Sequence, residues 1–292
     1  MSLRRARQSD HEAVRRLCED IWSDRNGDYL PNIYPAWIKG DDRETLVATH
    51  EDELVGIAQC VMLNDEEAWC QGLRVRSDMR GNGIAETLMS ELFSWAALAG
   101  ATVARTMVFS WNGAGMGVAR GVGFNPTTSV RFVTPVPADE ARPTTVVADG
   151  TRGWKYWRES VAQSHLQGLG LDDTESWSMR KLRSSDMTNS RILAVVEDGC
   201  VGMALRGRRE QVSDNGETIV RQEYMAAAWQ DIPAAETLLR AIAIDAFEQG
   251  ATHTRVTIPE DIRLVSDVAV TGVAIDEAPH FIFSAPVGRI SD

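Results

Sequence analysis

The fold of this 292-residue chain is decided by the stretch LRVRSDMRGNGIA, which occupies residues 73–85. Residues Ala68–Val75 are apolar enough to predict a strand that ends where this stretch begins to turn. From Gly83 to Ala99 the apolar side chains recur every three or four positions, which predicts an amphipathic helix closed by Gly100. The stretch is therefore interpreted as a strand end, a short glycine-containing loop and a helix start.

The loop Arg80–Ala85 has the chemistry of an anion-binding site. The first amide N–H groups of a helix have no partner within the helix, and they lie at the positive end of its dipole. Gly81 and Gly83 carry no Cβ, so a phosphate group can approach the backbone closely, and Arg76 and Arg80 add positive charge. A glycine turn that only begins a helix is the alternative explanation, but the elements on either side favour the anion site.

Strands and helices alternate around this loop. A helix is predicted to begin at Ser9-Asp10, and residues 26–45 predict a loop with a short helix. The other predicted elements are strands at Leu46–Thr49, Leu54–Met62, Thr102–Phe109 and Val130–Val133, and a glycine-rich helix at Gly113–Gly121. The alternation predicts an α/β fold.

The second half of the chain repeats the first. Residues 46–59 align without gaps on 192–205 with six of 14 positions identical, and residues 85–105 align on 235–255 with nine of 21 identical. Chance similarity between amphipathic segments is the alternative, but the preserved order of the matches favours a true repeat. We predict a first domain at 1–136, a linker at 137–145 and a second domain at 146–292, each domain of ordinary size.

The repeat has lost the anion-binding loop. The alignment places Gln230-Asp231-Ile232-Pro233 where the first copy has Arg80-Gly81-Asn82-Gly83. Asp231 would repel a phosphate and Pro233 removes an amide donor, although proline near a helix start is compatible with the helix. We therefore predict one anion site per chain and a structural second copy that walls off a cleft or regulates access to it.

The stretch 73–85 resembles the acetyl-CoA motif of the GNAT acetyltransferases, in which Arg/Gln-x-x-Gly-x-Gly/Ala follows a strand. Residues 112–124 resemble the later motif of that superfamily, and the resemblance covers roughly residues 3–134. It implies an α/β fold of tandem GNAT-like domains, of which the second is degenerate. Each domain is then built on a mixed sheet, and two splayed parallel strands of this sheet admit the pantetheine arm. It implies that acetyl-CoA is the co-substrate, held by Leu73, Val75, Arg80, Gly81, Gly83, Ile84, Ala85 and Asn112. For Asn112, capping of the helix that follows is an equal alternative.

A second resemblance concerns the acceptor. The stretch Tyr-Leu-Pro-x-x-Tyr-x-x-Trp at 29–37 is similar to the histidine N-acetyltransferase-like branch, which also carries a second domain. It implies a free amino acid or a related small amine as substrate, bound by Tyr29, Tyr34 and Trp37. Ordinary aromatic packing of these three side chains is the alternative.

Transfer of an acetyl group from a thioester to an amine needs a proton acceptor, a stabilised oxyanion and a leaving thiolate. Many GNAT enzymes carry a tyrosine seven residues after the asparagine matched to Asn112, but Ala119 stands there in this chain. Glu67 and Gln71 on the preceding strand are the candidate catalytic residues, Glu67 as a base and Gln71 to orient the amine or a water. The alternatives are a solvated carboxylate at a strand end and an ordinary polar strand residue.

The prediction is thus an acetyl-CoA-dependent N-acetyltransferase that acts on a primary amine of a small molecule. A non-catalytic acetyl-CoA-binding sensor or structural module is the competing class, since Ala119 lacks the usual acid. A third reading, acetylation of protein N-termini or lysines, would need an open cleft.

Composition excludes several other classes. The formal net charge of −12 argues against a nucleic-acid partner, because phosphates would be repelled. The four cysteines are scattered without ligand spacing, so no metal site is expected. No apolar run approaches the length of a membrane span and the N-terminus lacks a secretory pattern, so we predict a cytoplasmic protein without a membrane partner. The sequence does not determine the oligomeric state.

Overall fold

A computed structural model describes residues 1–19, 21, 27–175, 177–196, 200–214 and 217–288 of the chain. The helices are α1 (His11–Cys18), α2 (Leu30–Trp37), α3 (Ile84–Leu98), α4 (Gly113–Gly121), α5 (Gly150–Glu159), α6 (Val161–His165), α7 (Ile232–Glu248) and α8 (Ile262–Thr271). The first seven strands are β1 (Ser2–Arg5), β2 (Arg43–His50), β3 (Glu53–Met62), β4 (Glu67–Val75), β5 (Val103–Phe109), β6 (Asn125–Val133) and β7 (Val146–Val147). The others are β8 (Leu169–Leu171), β9 (Met179–Lys181), β10 (Ile192–Val196), β11 (Cys200–Asp214), β12 (Glu217–Trp229), β13 (His253–Pro259) and β14 (His280–Pro286).

The chain folds into two compact units. The first unit contains residues 1–108, 112–126 and the C-terminal stretch from 283, and the second contains 109–111 and 127–282. Strands β6 and β14 therefore each begin in one unit and end in the other. The linear boundaries at 136 and 146 remain a prediction.

In the first unit the strands lie in the order β1-β2-β3-β4-β5. The pairs from β1 to β4 are antiparallel, whereas β4 and β5 are parallel and pair only over Glu67–Trp69 and Val103–Arg105. Helix α3 connects these two parallel strands, and its buried side chains face the sheet. A core cluster from α1, α2, β2 and β3 includes Val14, Leu30, Tyr34, Trp37, Val47 and Ile57.

The second unit has the same arrangement. Antiparallel strands β10, β11 and β12 are followed by α7 and then by β13, which is parallel to β12 over 221–224 and 253–256. Strand β6 pairs antiparallel with β13. Strand β13 spans 253–259 and β5 spans 103–109, so the offset of 150 in the sequence repeat is also the offset of the strands. The predicted fold class, two copies of one α/β unit on mixed sheets, is confirmed.

No helix within the described residues is long and apolar enough to cross a membrane.

Three thiols of the first unit are buried, and we expect them to resist alkylation. Burial raises the pKa of Cys18 to about 12, and the hydrogen bond to Cys60, 3.3 Å between the sulfur atoms, raises the pKa of Cys70 together with burial. Because the thiolate is the nucleophile, native Cys18 should react about 1,000-fold more slowly with iodoacetamide than in the unfolded chain. Peptide mass spectrometry after timed labelling measures this ratio. Equal rates in the native and unfolded chains would contradict the burial of Cys18.

The second unit contains an aromatic cluster around a buried arginine. The guanidinium of Arg255 lies 3.9 Å from the ring centre of Trp177 and 5.2 Å from that of Phe132. The ring of His280 lies 4.9 Å from Phe132 and 4.6 Å from Phe109, and it is 3% exposed. Burial, followed by the positive charges of Arg255 and Arg131, lowers the pKa of His280 from 6.5 to about 4.

This histidine should make the stability of the chain depend on pH. Between pH 6.5 and 4 the unfolded chain binds a proton that folded His280 does not bind, so the free energy of unfolding falls as the pH falls through this window. The full loss should be roughly 3 kcal/mol. Urea titrations between pH 4 and 7 measure it, and His280→Phe, which cannot titrate, should remove this part of the pH dependence. An unchanged pH dependence in His280→Phe would show that another group causes it.

Candidate functional site

The loop between β4 and α3 has the backbone that its glycines suggest. After a single turn of 3₁₀ helix at Ser77–Met79, Gly81 and Gly83 adopt φ values of 77° and 73°. Residues other than glycine rarely adopt this left-handed conformation, so both positions favour glycine. The side-chain amide of Asn82 donates to the carbonyl of Met79 over 3.0 Å and holds the loop together.

The N-terminus of α3 presents unused amide donors. Gly83 precedes the helix and no side chain caps it. Within the described part of the chain, no acceptor takes the N–H groups of residues 81–85, and the first bond of the helix runs from Thr87 N–H to the carbonyl of Gly83, 3.0 Å. A Cβ built on Gly81 or Gly83 would meet no atom within 4 Å. The space in front of these donors is open, as an anion site requires.

In the second copy, the residues at the start of the matching helix α7 use up or lack the amide donors that α3 leaves free. Asp231 caps α7, and its carboxylate accepts the amide of Ala234 over 3.0 Å. Pro233 lies in the first turn and has no N–H to offer. The contrast between α3 and α7 agrees with the predicted loss of the anion site from the second copy.

Strands β4 and β5 separate beside the loop. Their pairing stops at Trp69 and Arg105, although β4 continues to Val75 and β5 to Phe109. On the other side of β4, Gln71 pairs with Gln59 and Arg74 with Ile57, so Gly72 and Leu73 oppose a single residue of β3. Such a bulge leaves backbone groups outside the ladder and turns the strand. Leu73 lies within the bulge and Val75 follows it, and both are half-buried on this separated part of β4.

Trp37 packs on the bulge. Gly72 has a φ of 64°, and a Cβ at this position would lie 2.0 Å from Cη2 of Trp37. The carbonyl of Trp37 accepts a hydrogen bond from the buried side chain of Gln59, 2.8 Å. Gln59 in turn accepts the side-chain amide of Gln71, also 2.8 Å. This chain of contacts fixes the orientation of Gln71, which is half-buried on β4.

Glu67 lies in a buried ion pair rather than in solvent. Its carboxylate accepts a hydrogen bond from the guanidinium of Arg105, and both side chains are less than one-tenth exposed. Asn64 donates to the other carboxylate oxygen over 3.1 Å. The alternative that Glu67 is a solvated strand-end carboxylate is wrong, because only 5% of the residue is exposed. Its role as a base stays a prediction.

The three aromatic residues at 29–37 have different surroundings. Tyr34 is fully buried, its hydroxyl donates to the carbonyl of Arg7 over 2.7 Å, and burial raises its pKa to about 12. Trp37 is 4% exposed and Tyr29 is 45% exposed. Tyr34 and Trp37 therefore contribute to core packing, whereas Tyr29 is partly exposed, and burial of its hydroxyl group raises its pKa.

One ion pair at this site was not predicted. Arg74 lies 5.4 Å from the ring centre of Tyr29 and binds the fully buried carboxylate of Asp28 over 2.5 Å and 3.0 Å. Asp28 also accepts the amide of Leu30 at the start of α2. The only signal in the sequence is the charge of Arg74 within the apolar strand β4.

The beginning of α4 is capped by Asn112. Its side-chain oxygen accepts the amide of Gly115 over 2.8 Å, which agrees with the capping alternative. Contact of Asn112 with a cofactor stays a prediction. Ala119, at the position where a tyrosine is usual, is 6% exposed and carries no group that can transfer a proton.

Residues 11–124 match the model of the Acetyltransferase (GNAT) family. Two solved structures resemble the whole chain. A GCN5-related N-acetyltransferase from Sphaerobacter thermophilus aligns with a TM-score of 0.57 and 13% identity over 98% of this chain and 95% of that one. A putative acetyltransferase from Pyrococcus horikoshii aligns with a TM-score of 0.50 and 16% identity over 100% and 91%. These likenesses establish the fold, which includes both copies of the repeat.

A histidine N-acetyltransferase from Scomber australasicus is 29% identical over 85 residues, which is 29% of this chain and 25% of that protein. The chain therefore matches about a quarter of the length of this curated relative.

Proposed function

We propose that this chain, a member of the GNAT acetyltransferase superfamily through its residues 11–124, is an N-acetyltransferase that moves an acetyl group from acetyl-CoA to a primary amine of a small molecule in the cytoplasm. The match to this family supports acetyl transfer as the general reaction. The small amine, with a free amino acid as one candidate, is our proposal and takes support from the partial likeness to a histidine N-acetyltransferase.

The open N-terminus of α3 carries the proposal. A pyrophosphate could accept hydrogen bonds from the unused amides at 81–85, at the positive end of a 15-residue helix. The two glycines with positive φ shape the loop that presents these amides. We propose that Arg80, which is exposed beside the loop, adds charge to this site, and that Leu73 and Val75 contact the pantetheine arm where β4 separates from β5.

Bound acetyl-CoA would supply the thioester that an amine attacks directly, without a protein nucleophile. We propose that Gln71, held by Gln59, orients the amine or a water. Glu67 was predicted as a base, but proton uptake would break a buried ion pair with Arg105, which costs about 3–5 kcal/mol in other proteins. We therefore assign Glu67 the positioning of β4 against β5 and expect a water to take the amine proton.

Tyr29 is the aromatic residue that we propose for substrate contact. It is exposed, and the guanidinium of Arg74 beside its ring is fixed by Asp28. A ring with a fixed cation at its face suits a planar or anionic part of a small amine.

Release of free coenzyme A thiol tests the proposed function. The full chain is incubated with acetyl-CoA and with single amines, among them histidine, other amino acids, polyamines and a lysine-containing peptide. We expect amine-dependent thiol release with at least one small molecule and none with the peptide. Release with the peptide alone would contradict the small-molecule acceptor. Mass spectrometry of the product identifies the acetylated nitrogen.

Ala119, at the position where many GNAT enzymes carry a tyrosine, favours a second candidate function, a non-catalytic acetyl-CoA sensor. A domain without an acid for the leaving thiolate would bind acetyl-CoA and transfer its acetyl group slowly or not at all. Tight acetyl-CoA binding without thiol release for any amine would favour the sensor over the enzyme.

A further inference from the structure

The second unit contains a pocket lined by arginines. Its volume is about 460 Å³, and four arginines line it together with a single acidic residue, Asp173. Among the residues that line the pocket, positive charges outnumber negative ones, and carboxylates pair with three of the four arginines. The arginines are Arg191, Arg206, Arg208 and Arg209.

A bulge in β11 brings three of these arginines to the pocket. Arg206 pairs with Tyr224 and Arg209 with Gln222, so Gly207 and Arg208 oppose one residue of β12. A bulge interrupts the alternation of side chains along a strand. As a result, residues 206–209 all line the same pocket, which a regular strand does not allow.

Contacts with other protein groups fix the side chains of two of the arginines. Arg206 donates two hydrogen bonds to the buried carboxylate of Asp245, at 2.8 Å and 2.7 Å. Arg191 donates to the carbonyl of Arg206 over 2.9 Å and pairs with Asp173 over 2.9 Å. These contacts fix the two side chains, so a ligand would not have to order them.

The other two arginines differ in how far the protein uses their donors. Arg208 is paired with the carboxylate of Glu210, donates to the carbonyl of Thr174 over 3.2 Å and lies with its Nε 3.8 Å from the carboxylate of Glu223, so it is held by the protein as well. Arg209 is exposed and donates to the backbone carbonyl of Gln249. Within the described part of the chain, Arg209 is the one lining arginine without a carboxylate partner.

We propose that this pocket binds a small oxyanion, a phosphate or a carboxylate group of a metabolite. Guanidinium groups present planar pairs of N–H donors that match these anions. This pocket is separate from the proposed acetyl-CoA site, because it belongs to the second copy, in which Asp231 caps the N-terminus of α7. The second unit would then contribute a ligand site of its own.

Calorimetric titration of the full chain tests this proposal, with inorganic phosphate and citrate as probes at constant ionic strength set with chloride. We expect binding of at least one probe, and the stronger probe identifies the phosphate or the carboxylate as the preferred group. Because Arg209 is exposed and holds only a backbone carbonyl, Arg209→Gln should fold normally and bind about 10-fold more weakly.

Arg158→Gln is the matched control, since it removes the same charge from an exposed position of the second unit outside the pocket lining. It should bind the probe as the wild type does. Failure of both probes to bind would overturn the proposal, and so would an equal loss of affinity in Arg209→Gln and Arg158→Gln, which indicates general electrostatic attraction only. Thiol release with acetyl-CoA is measured on the same variants, so a failure here is separate from a failure of the proposed acetyltransferase.

Discussion

Replacement of Gly83 by proline is expected to weaken acetyl-CoA binding by about 100-fold or more, equivalent to the loss of two charge-assisted hydrogen bonds. Proline fixes φ near −65°, whereas Gly83 has a φ of 73°, so the loop cannot keep its conformation. The substitution also deletes one amide donor directly. Calorimetric titration of the wild type and Gly83→Pro with acetyl-CoA measures the difference.

Ala85→Pro is a milder form of the same experiment. Ala85 is the second residue of α3, and the second residue of α7 is already Pro233, so this fold accepts proline there. We expect about a 10-fold loss of affinity from one missing amide donor. Pro233→Ala is the control and should leave acetyl-CoA binding unchanged. If Gly83→Pro and the wild type bind equally, the pyrophosphate does not lie at α3.

Replacement of Gly72 by alanine is expected to cost about 3–5 kcal/mol of unfolding free energy, the sum of a left-handed backbone and an overpacked core. A Cβ at this position would lie 2.0 Å from Cη2 of Trp37, and the φ of 64° adds strain. Urea unfolding measures the loss. The same substitution should reduce thiol release, because the bulge positions Gln71 and Leu73.

Gly81→Ala is the matched control for Gly72→Ala. Its φ of 77° imposes a similar backbone strain, but a Cβ there meets no atom within 4 Å. We expect a cost of about 1–2 kcal/mol at Gly81, so the difference between the two variants isolates the contact with Trp37. Trp37→Leu should relieve part of the cost in a double variant with Gly72→Ala. Equal costs at both glycines would mean that Trp37 moves aside freely.

The features that depend on neighbouring residues could be predicted from the sequence. The helix predicted from Gly83 to Ala99 is α3, Ile84–Leu98, because the apolar period and the glycines at both ends act locally. The repeat predicted the second copy, and the offset of 150 between β5 and β13 follows the sequence alignment. The capping of α7 by Asp231 was not predicted, although a helix cap lies within a few residues of the helix it caps.

The features that depend on distant residues could not be predicted. Glu67 was interpreted as a base or a solvated carboxylate because its partner, Arg105, lies 38 residues away. Asp28 and Arg74 are 46 residues apart. The aromatic motif at 29–37 left open whether Tyr34 and Trp37 bind a substrate or pack in the core, since their burial depends on how α2 packs against the sheet.

Titration of the full wild-type chain with acetyl-CoA tests the central claim most directly, that one intact anion site lies at α3 and none at α7. We predict a stoichiometry of one acetyl-CoA per chain, with an affinity that falls about 100-fold or more in Gly83→Pro and stays unchanged in Pro233→Ala. A stoichiometry of two, or equal affinities of the wild type and Gly83→Pro, would contradict this claim.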